Sequence, residues 1–310
     1  MKHRTADEEA ELQYQYHTCD VFTDRPFTGN PLAVFPEADG LTAEQMQLVA
    51  RELSLPETAF VLPAQSGGDF WLRIFTPSAE LPFAGHPTIG TALVLARLGR
   101  VAKGRGAVFE EGAGPVPVSL EWEGDAASAA WLTAPRTPER VAAAPAPRLI
   151  ARALSLDERD IDLAGPDPVV LSAGNPFLFV ALKSRTALSR AKVSSVDWQR
   201  AMEGVAASGV YLFCPEPEAP WAHFRARLFA PDKGISEDPA TGSAASALPG
   251  YLLAGDGALD GEHRWEIEQG VEMGRPSRLR VEATVRGKAI VTVRVGGGAV
   301  PMSEGTMEVA

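Results

Sequence analysis

The sequence predicts an α+β fold of two matching lobes, each a curved sheet around one buried helix. The first observation behind this is an internal repeat. Phe75-Thr-Pro-Ser-Ala-Glu80-Leu-Pro-Phe-Ala-Gly85-His86 runs parallel to Phe229-Ala-Pro-Asp-Lys-Gly-Ile-Ser-Glu237-Asp238-Pro-Ala-Thr-Gly242-Ser243, with three extra residues in the second loop. This aligns Glu80 with Glu237, Gly85 with Gly242 and His86 with Ser243. Upstream, Phe27-Thr-Gly-Asn30-Pro answers to Ser172-Ala-Gly-Asn175-Pro, and Ala59-Phe-Val-Leu-Pro63 answers to Tyr211-Leu-Phe-Cys-Pro215. Blocks kept in one order mark a duplicated domain, not a solenoid, whose period is far shorter. The second observation is that Thr88–Leu98 and Gly242–Leu253 are small or apolar nearly all round, the pattern of a buried helix. The third is that β-branched and aromatic strand-like runs flank both segments.

In chain order, Tyr14–Phe22 alternates and reads as a strand, as does 32–35. Thr42 with Gln45 forms a capping box that opens a helix with an apolar stripe of Met46, Val49, Ala50 and Leu53. Residues 59–62 and 70–75 read as strands, and Pro87 and Gly99 bracket the first buried helix. Strands follow at 107–110, 116–122 and 129–132, and in the second half at 264–269, 277–284 and 288–296. Pro249 is expected to kink the second buried helix, because it removes an intrahelical hydrogen bond. The Ala/Pro-rich stretch 135–147 reads as a linker, and Gly296-Gly-Gly-Ala as a breaker before a short last segment.

A chain of 310 residues, 45% hydrophobic, fits two domains of ordinary size. A net charge of −11 argues against nucleic acid or an anionic membrane as main partner. The polar start of the chain has no apolar signal-peptide core, and residues 1–11 read as a disordered leader. Cys19 and Cys214 sit singly in apolar segments, as expected of unpaired thiols in a reducing, cytoplasmic protein.

The candidate chemistry lies at the heads of the two buried helices. A helix N-terminus exposes unpaired N–H groups and a partial positive charge, and Gly85 and Gly242 let a ligand approach that backbone. If the halves face each other, Gly85, His86, Gly242 and Ser243 form one site for a carboxylate. Taken singly, such glycines are ordinary caps; their duplication favours the site. Glu57 stands alone among apolar neighbours between a helix end and a strand, and its counterpart in the repeat is Gly209. Burial would raise its pKa and suit it to moving a proton near neutral pH; the plainer alternative is an exposed turn residue. His86 and Asp238 are candidate polar partners, with an N-cap and a pre-proline turn as the plainer readings. Glu80 and Glu237 recur in both halves, which points to a shared structural task such as bonding loop amides. No metal-ligand spacing occurs, so no metal is expected, and no dinucleotide fingerprint, Walker loop or nucleophile elbow is present.

Together, Asp20-Val-Phe22, Phe27-Thr-Gly-Asn30-Pro-Leu-Ala-Val34, Leu55-Pro-Glu57-Thr-Ala-Phe60, the Phe75–Thr88 run and Glu237-Asp-Pro-Ala-Thr-Gly-Ser-Ala244 closely resemble the PhzF-like (phenazine-biosynthesis) family, which shares the diaminopimelate-epimerase fold. The resemblance implies two pseudo-symmetric β-barrel-like domains, each wrapped around a central apolar helix, with the site in the cleft between them. Its expected division is a first domain 12–135 completed by a C-terminal strand 299–310, a linker 136–147 and a second domain 148–298. It implies a homodimer without cofactor that isomerises a small carboxylic acid of the trans-2,3-dihydro-3-hydroxyanthranilate type. In that family the residue matching Glu57 shuttles the proton, and residues matching His86, Asp238 and Ser243, with the neighbouring glycines, line the substrate site; Asn30, in the matching Gly-Asn-Pro run, is a further candidate contact. Diaminopimelate epimerases instead place a cysteine at the head of each central helix, where this chain has Gly85-His86 and Gly242-Ser243. A two-base epimerase is therefore disfavoured. A non-catalytic acid-binding protein is the other alternative, opposed by the presence of Glu57, His86 and Asp238.

Overall fold

The first strand, Leu12–Val21, runs inside a sheet, flanked by Asn30–Phe35 on one side and by Ala299–Val309 on the other, and its last three residues are buried. The computed structural model describes residues 12–254 and 259–309, so the expected leader 1–11 lies outside the described residues. From Asn30–Phe35 the sheet continues through Glu57–Pro63, Phe70–Phe75, Ala107–Glu111, Gly114–Glu123 and Ala126–Thr133. A second sheet repeats this order with Glu139–Ala143, Val169–Ser172, Pro176–Ala181, Val210–Cys214, Phe224–Ala230, Gly261–Gln269, Ser277–Arg286 and Ala289–Gly297. Parallel and antiparallel pairings fall at the same places in both. The registers agree as well: Ala33 faces Thr58 as Leu178 faces Val210, and Ile74 faces Leu81 as Leu228 faces Asp238. Ala289–Gly297 pairs with Ala126–Thr133 and joins the two sheets.

Each sheet curves around one helix. The first central helix, Gly85–Arg97, is buried from Gly85 to Ala96 and starts three residues before the apolar run suggested. The second, Gly242–Leu252, keeps Pro249 in its interior. A helix that is apolar on every side has no stable place except inside a closed layer of sheet, which is why both segments end up there. The outer face of the first sheet is covered by Ala43–Leu53, whose Thr42–Gln45 capping box is formed and whose Met46, Val49 and Ala50 are buried. Against it Phe35 stacks on Phe60 at 5.0 Å, and Phe75 meets Phe60 edge-on. No helix among the described residues is long and apolar enough to cross a membrane.

Several expectations need adjustment. The stretch expected as a linker carries the strand Glu139–Ala143, which occupies in the second sheet the edge that Ala299–Val309 occupies in the first. The Gly-rich breaker near 296 interrupts the sheet only at Gly298, and an eleven-residue strand follows. The repeated glutamates do share a task, but their partner is an arginine. Glu80 takes both hydrogen bonds of the Arg73 fork at 2.7 Å, and Glu237 those of Arg227 at 2.8 Å. Loop amides are held instead by Glu110, which accepts from Gln65, Ser66 and Gly68, and by Glu268, which accepts from Glu218 and Ala219. Sequence pattern missed this because a carboxylate can satisfy either kind of donor.

The two arginine pairs differ in burial. Arg227 is nearly inaccessible and also donates to the carbonyls of Leu188, Ser189 and Ala191. Removing one partner of a buried pair strands the other, so Arg227→Ala is expected to destabilise the fold by about 3–5 kcal/mol. Arg73→Ala, whose partner Glu80 is exposed, should cost markedly less. Urea denaturation of both variants checks the order.

Candidate active site

Glu57 reaches its position through local backbone rules. The helix Ala43–Leu53 stops at Ser54, which adopts a left-handed conformation with φ 53° and returns its N–H to Ala50. Leu55 precedes Pro56, a context that disfavours helix and extends the chain. Glu57 therefore opens the strand Glu57–Pro63, paired with Leu32, instead of lying in a turn. Side chains alternate along a strand, so Glu57 points to the same face as the core residues Ala59 and Val61. It is only 7% exposed.

The two central helices begin against each other. A Cβ placed on Gly85 would lie 3.0 Å from the Cα of Gly242 and 3.1 Å from the nitrogen of Ser243. A side chain on Gly85 would crowd the facing backbone, and one on Gly242 would crowd the Phe22 ring at 3.1 Å, which is the physical reason for glycine at both helix heads. His86, the next residue of the first helix, brings Nε2 to 3.2 Å from Oε2 of Glu57. Burial drives the imidazole pKa down to about 3, opposed in part by the Pro31 carbonyl. The contact is thus between a neutral ring and a carboxyl, not an ion pair. Neither facing atom makes a hydrogen bond within the described residues.

Asp238 enters from the other half, at the end of the short strand Ile235–Asp238. Its Oδ1 accepts from Asn30 Nδ2 at 2.8 Å and its Oδ2 from Thr241 Oγ1 at 2.5 Å. Asn30 Nδ2 also lies 3.2 Å from His86 Nδ1 and 3.0 Å from the carbonyl of Ala240, so it ties the first half to the second. Burial raises the Asp238 pKa to about 6 against the lowering effect of these hydrogen bonds from Thr241 and Asn30. Glu57 is raised well above the ordinary range, first by burial and then by the charge of Asp238.

Glu57, Gly85, His86, Asp238, Gly242 and Ser243 all line one cavity of about 680 Å³ between the halves. Of the residues singled out from sequence, Asn30 alone stands apart. It is wholly buried behind His86 and Asp238 and orients them without reaching the cavity wall. Sequence reasoning missed Thr241 and Gln269, which brace the Asp238 loop: Gln269 donates to the Asp238 carbonyl at 2.8 Å and to Thr241 Oγ1 at 3.0 Å. The usable signal was asymmetry, since Ala84 and Glu111 hold the matching places in the first half. No cluster of three or more His, Cys, Asp or Glu suited to a metal ion occurs among the described residues. Cys19 and Cys214 are free and buried, and burial, then Asp20, pushes the Cys19 thiol up to about 12.

The site therefore offers backbone amides at two facing helix heads for an anion, a buried carboxyl of raised pKa, a neutral imidazole and a second carboxyl. Over residues 19–305 the sequence matches the family model described as phenazine biosynthesis-like protein. It is 38% identical over 297 residues to an uncharacterised isomerase of Mesorhizobium japonicum, covering 94% of this chain and 98% of that one. It is 37% identical to the trans-2,3-dihydro-3-hydroxyanthranilate isomerase of Pseudomonas aeruginosa, with the same coverage. The crystal structure of a Bacillus anthracis phenazine biosynthesis protein of the PhzF family superposes with a TM-score of 0.87 at 26% identity, covering 96% of this chain and all of that one.

The helix-to-helix contact yields a prediction. Gly85→Ala forces a methyl group against the Gly242–Ser243 backbone, which cannot rotate away. Overpacking of this kind costs about 1–3 kcal/mol, and here the strain parts the two helix heads. The expected outcome is a folded protein with a modestly lowered Tm and a disproportionate loss of carboxylate affinity, read by differential scanning calorimetry and isothermal titration with an aromatic carboxylate.

Proposed function

The chain belongs to the phenazine biosynthesis-like family and is an isomerase of that family, and from that premise we propose that it isomerises trans-2,3-dihydro-3-hydroxyanthranilate with Glu57 as the proton shuttle. The observation that carries this reading is the convergence of one buried carboxyl, Glu57, with two facing helix heads in a single cavity. The amides around Gly85 and Gly242 receive the substrate carboxylate and fix the ring against Glu57. The Glu57 carboxylate takes a proton from one ring carbon. The electrons of that C–H bond shift the double bonds, and Glu57 returns the proton to a different carbon. Atoms and charge balance without an oxidant or a second substrate.

Desolvation serves both halves of this cycle. A carboxyl whose pKa lies near the working pH is a stronger base than an exposed one, and once protonated it is still acidic enough to give the proton back. His86 and Asp238 hold the polar substituents of the ring and keep Glu57 on one face of it. The reading as a mere acid-binding protein is opposed by the cost of burying Glu57 with an oxygen that makes no hydrogen bond. The two-base epimerase is opposed by glycine at both helix heads, with both free cysteines away from the cavity.

With trans-2,3-dihydro-3-hydroxyanthranilate in deuterated water, the wild-type protein is expected to turn the substrate over and to exchange the transferred proton in part. Glu57→Gln nearly preserves shape and should lower kcat by about 10²–10⁴-fold while leaving the melting temperature and ligand affinity close to wild type. Turnover of that variant at the wild-type rate defeats the role of Glu57; absence of turnover by wild type defeats the substrate. The pH profile gives a separate check. The base form is the carboxylate and its pKa is raised, so kcat/KM should climb as pH rises through that raised value and fall away below it.

A further inference from the structure

The first half contains a second buried carboxyl that this mechanism does not use. Glu111 ends the strand Ala107–Glu111 beneath the turn that leads into the first central helix. The Thr88 hydroxyl lies 2.6 Å from Glu111 Oε1 and 2.7 Å from the Ala84 carbonyl oxygen, so it links the carboxyl to the turn just before Gly85. In the second half the matching place is held by Gln269, whose Oε1 accepts from the Thr241 N–H just before Gly242. Thr241 is the counterpart of Ala84, so one side chain holds the entrance to each helix head: an amide in one half and an acid in the other.

We propose that Glu111 is a positioning residue that acts in its neutral form, doing for the Ala84–Gly85 turn what Gln269 does for Thr241–Gly242, and that its ionisation weakens carboxylate binding at the facing helix heads. The surroundings favour the neutral form. Oε2 is buried without a hydrogen-bond partner, a costly state for an ionised carboxylate and a milder one for an acid. From the helix Glu111 meets Thr88, from the turn the backbone of Ala84 and from the paired strand Gly114, none of them charged. The adjoining Glu110 turns outward to the amides of Gln65, Ser66 and Gly68. Burial, opposed by Thr88 and Ala84, accordingly pushes the Glu111 carboxyl up to about 8. Above that pH a negative charge develops behind the amides that receive the substrate carboxylate, and like charges repel.

The carboxylate part of this inference rests on the proposed function, so the test has one readout that needs no substrate. A carboxyl whose folded-state pKa is raised stabilises the fold fully below its unfolded value and loses that contribution as pH rises through the folded value. Wild type and Glu111→Gln should therefore melt alike near about pH 5, and the Gln variant should melt higher near about pH 9. With trans-2,3-dihydro-3-hydroxyanthranilate, the wild-type KM should rise by up to about tenfold per pH unit through the titration and then level off, with kcat less affected, whereas Glu111→Gln should keep a flat KM. Glu111→Met, which removes the acceptor, should raise KM at every pH. A melting difference that does not change with pH, or a KM that rises equally in wild type and Gln variant, overturns the proposal. If wild type fails to turn over the substrate, the proposed function falls and the melting comparison still decides the state of Glu111.

Discussion

The site depends on one backbone contact, the meeting of two helix heads at Gly85 and Gly242 with no side chain between them. It brings two sets of unpaired amide donors to one point, where each helix alone would present only one. The contact is also demanding. Both helices must be held at fixed depth in their sheets, and the turns before them must be braced. Gln269 braces the turn at Thr241, Glu111 contacts Thr88 beside the turn at Ala84, and Asn30 spans the halves by bonding Asp238 while lying against His86.

Symmetry builds the cavity, and departures from symmetry give it chemistry. The Glu57 position corresponds to Gly209, where a Cβ would stand 2.7 Å from the carbonyl oxygen of Phe229 and 3.1 Å from the Cβ of Ala230. The second half has no room for a side chain there, so a carboxylate can enter from one side only. The reverse holds two strands away, where Leu81 in the first half occupies the place that Asp238 occupies in the second. Among the acids that line the cavity, each half thus contributes a single buried one, Glu57 from the first and Asp238 from the second. Burial raises the pKa of both acids, and the charge of Asp238 raises that of Glu57 further, so raised proton affinity follows from placement without any unusual group.

The repeated charged groups follow a different logic. Arg73–Glu80 and Arg227–Glu237 recur as forked pairs on matching strands, and Glu110 and Glu268 recur as anchors for loop amides. These groups are satisfied and belong to the scaffold. Among the unsatisfied polar atoms, Oε2 of Glu57 and Nε2 of His86 face each other at 3.2 Å and belong to residues of the cavity wall, where a ligand can reach them.

By itself the sequence determined the duplication, the two central helices and the identity of the residues at their heads. These rest on local signals: apolar content on every helix face, a capping box at Thr42, and glycine and proline at repeated offsets. It also singled out Glu57 and Asp238, because a residue present in only one copy stands out against the repeat. Tertiary structure alone decided that Glu57 begins a strand and turns inward, that Asn30 braces the site from behind, and that Glu80 and Glu237 bind arginines. Only the folded chain turned the stretch 139–143 into a sheet edge and fixed the register of Ala299–Val309 against the first strand. The reason is range. Helix caps and apolar patterns are set within a few residues, whereas strand pairing and the partner of a buried carboxylate depend on segments far apart in the chain, whose proximity no local pattern encodes.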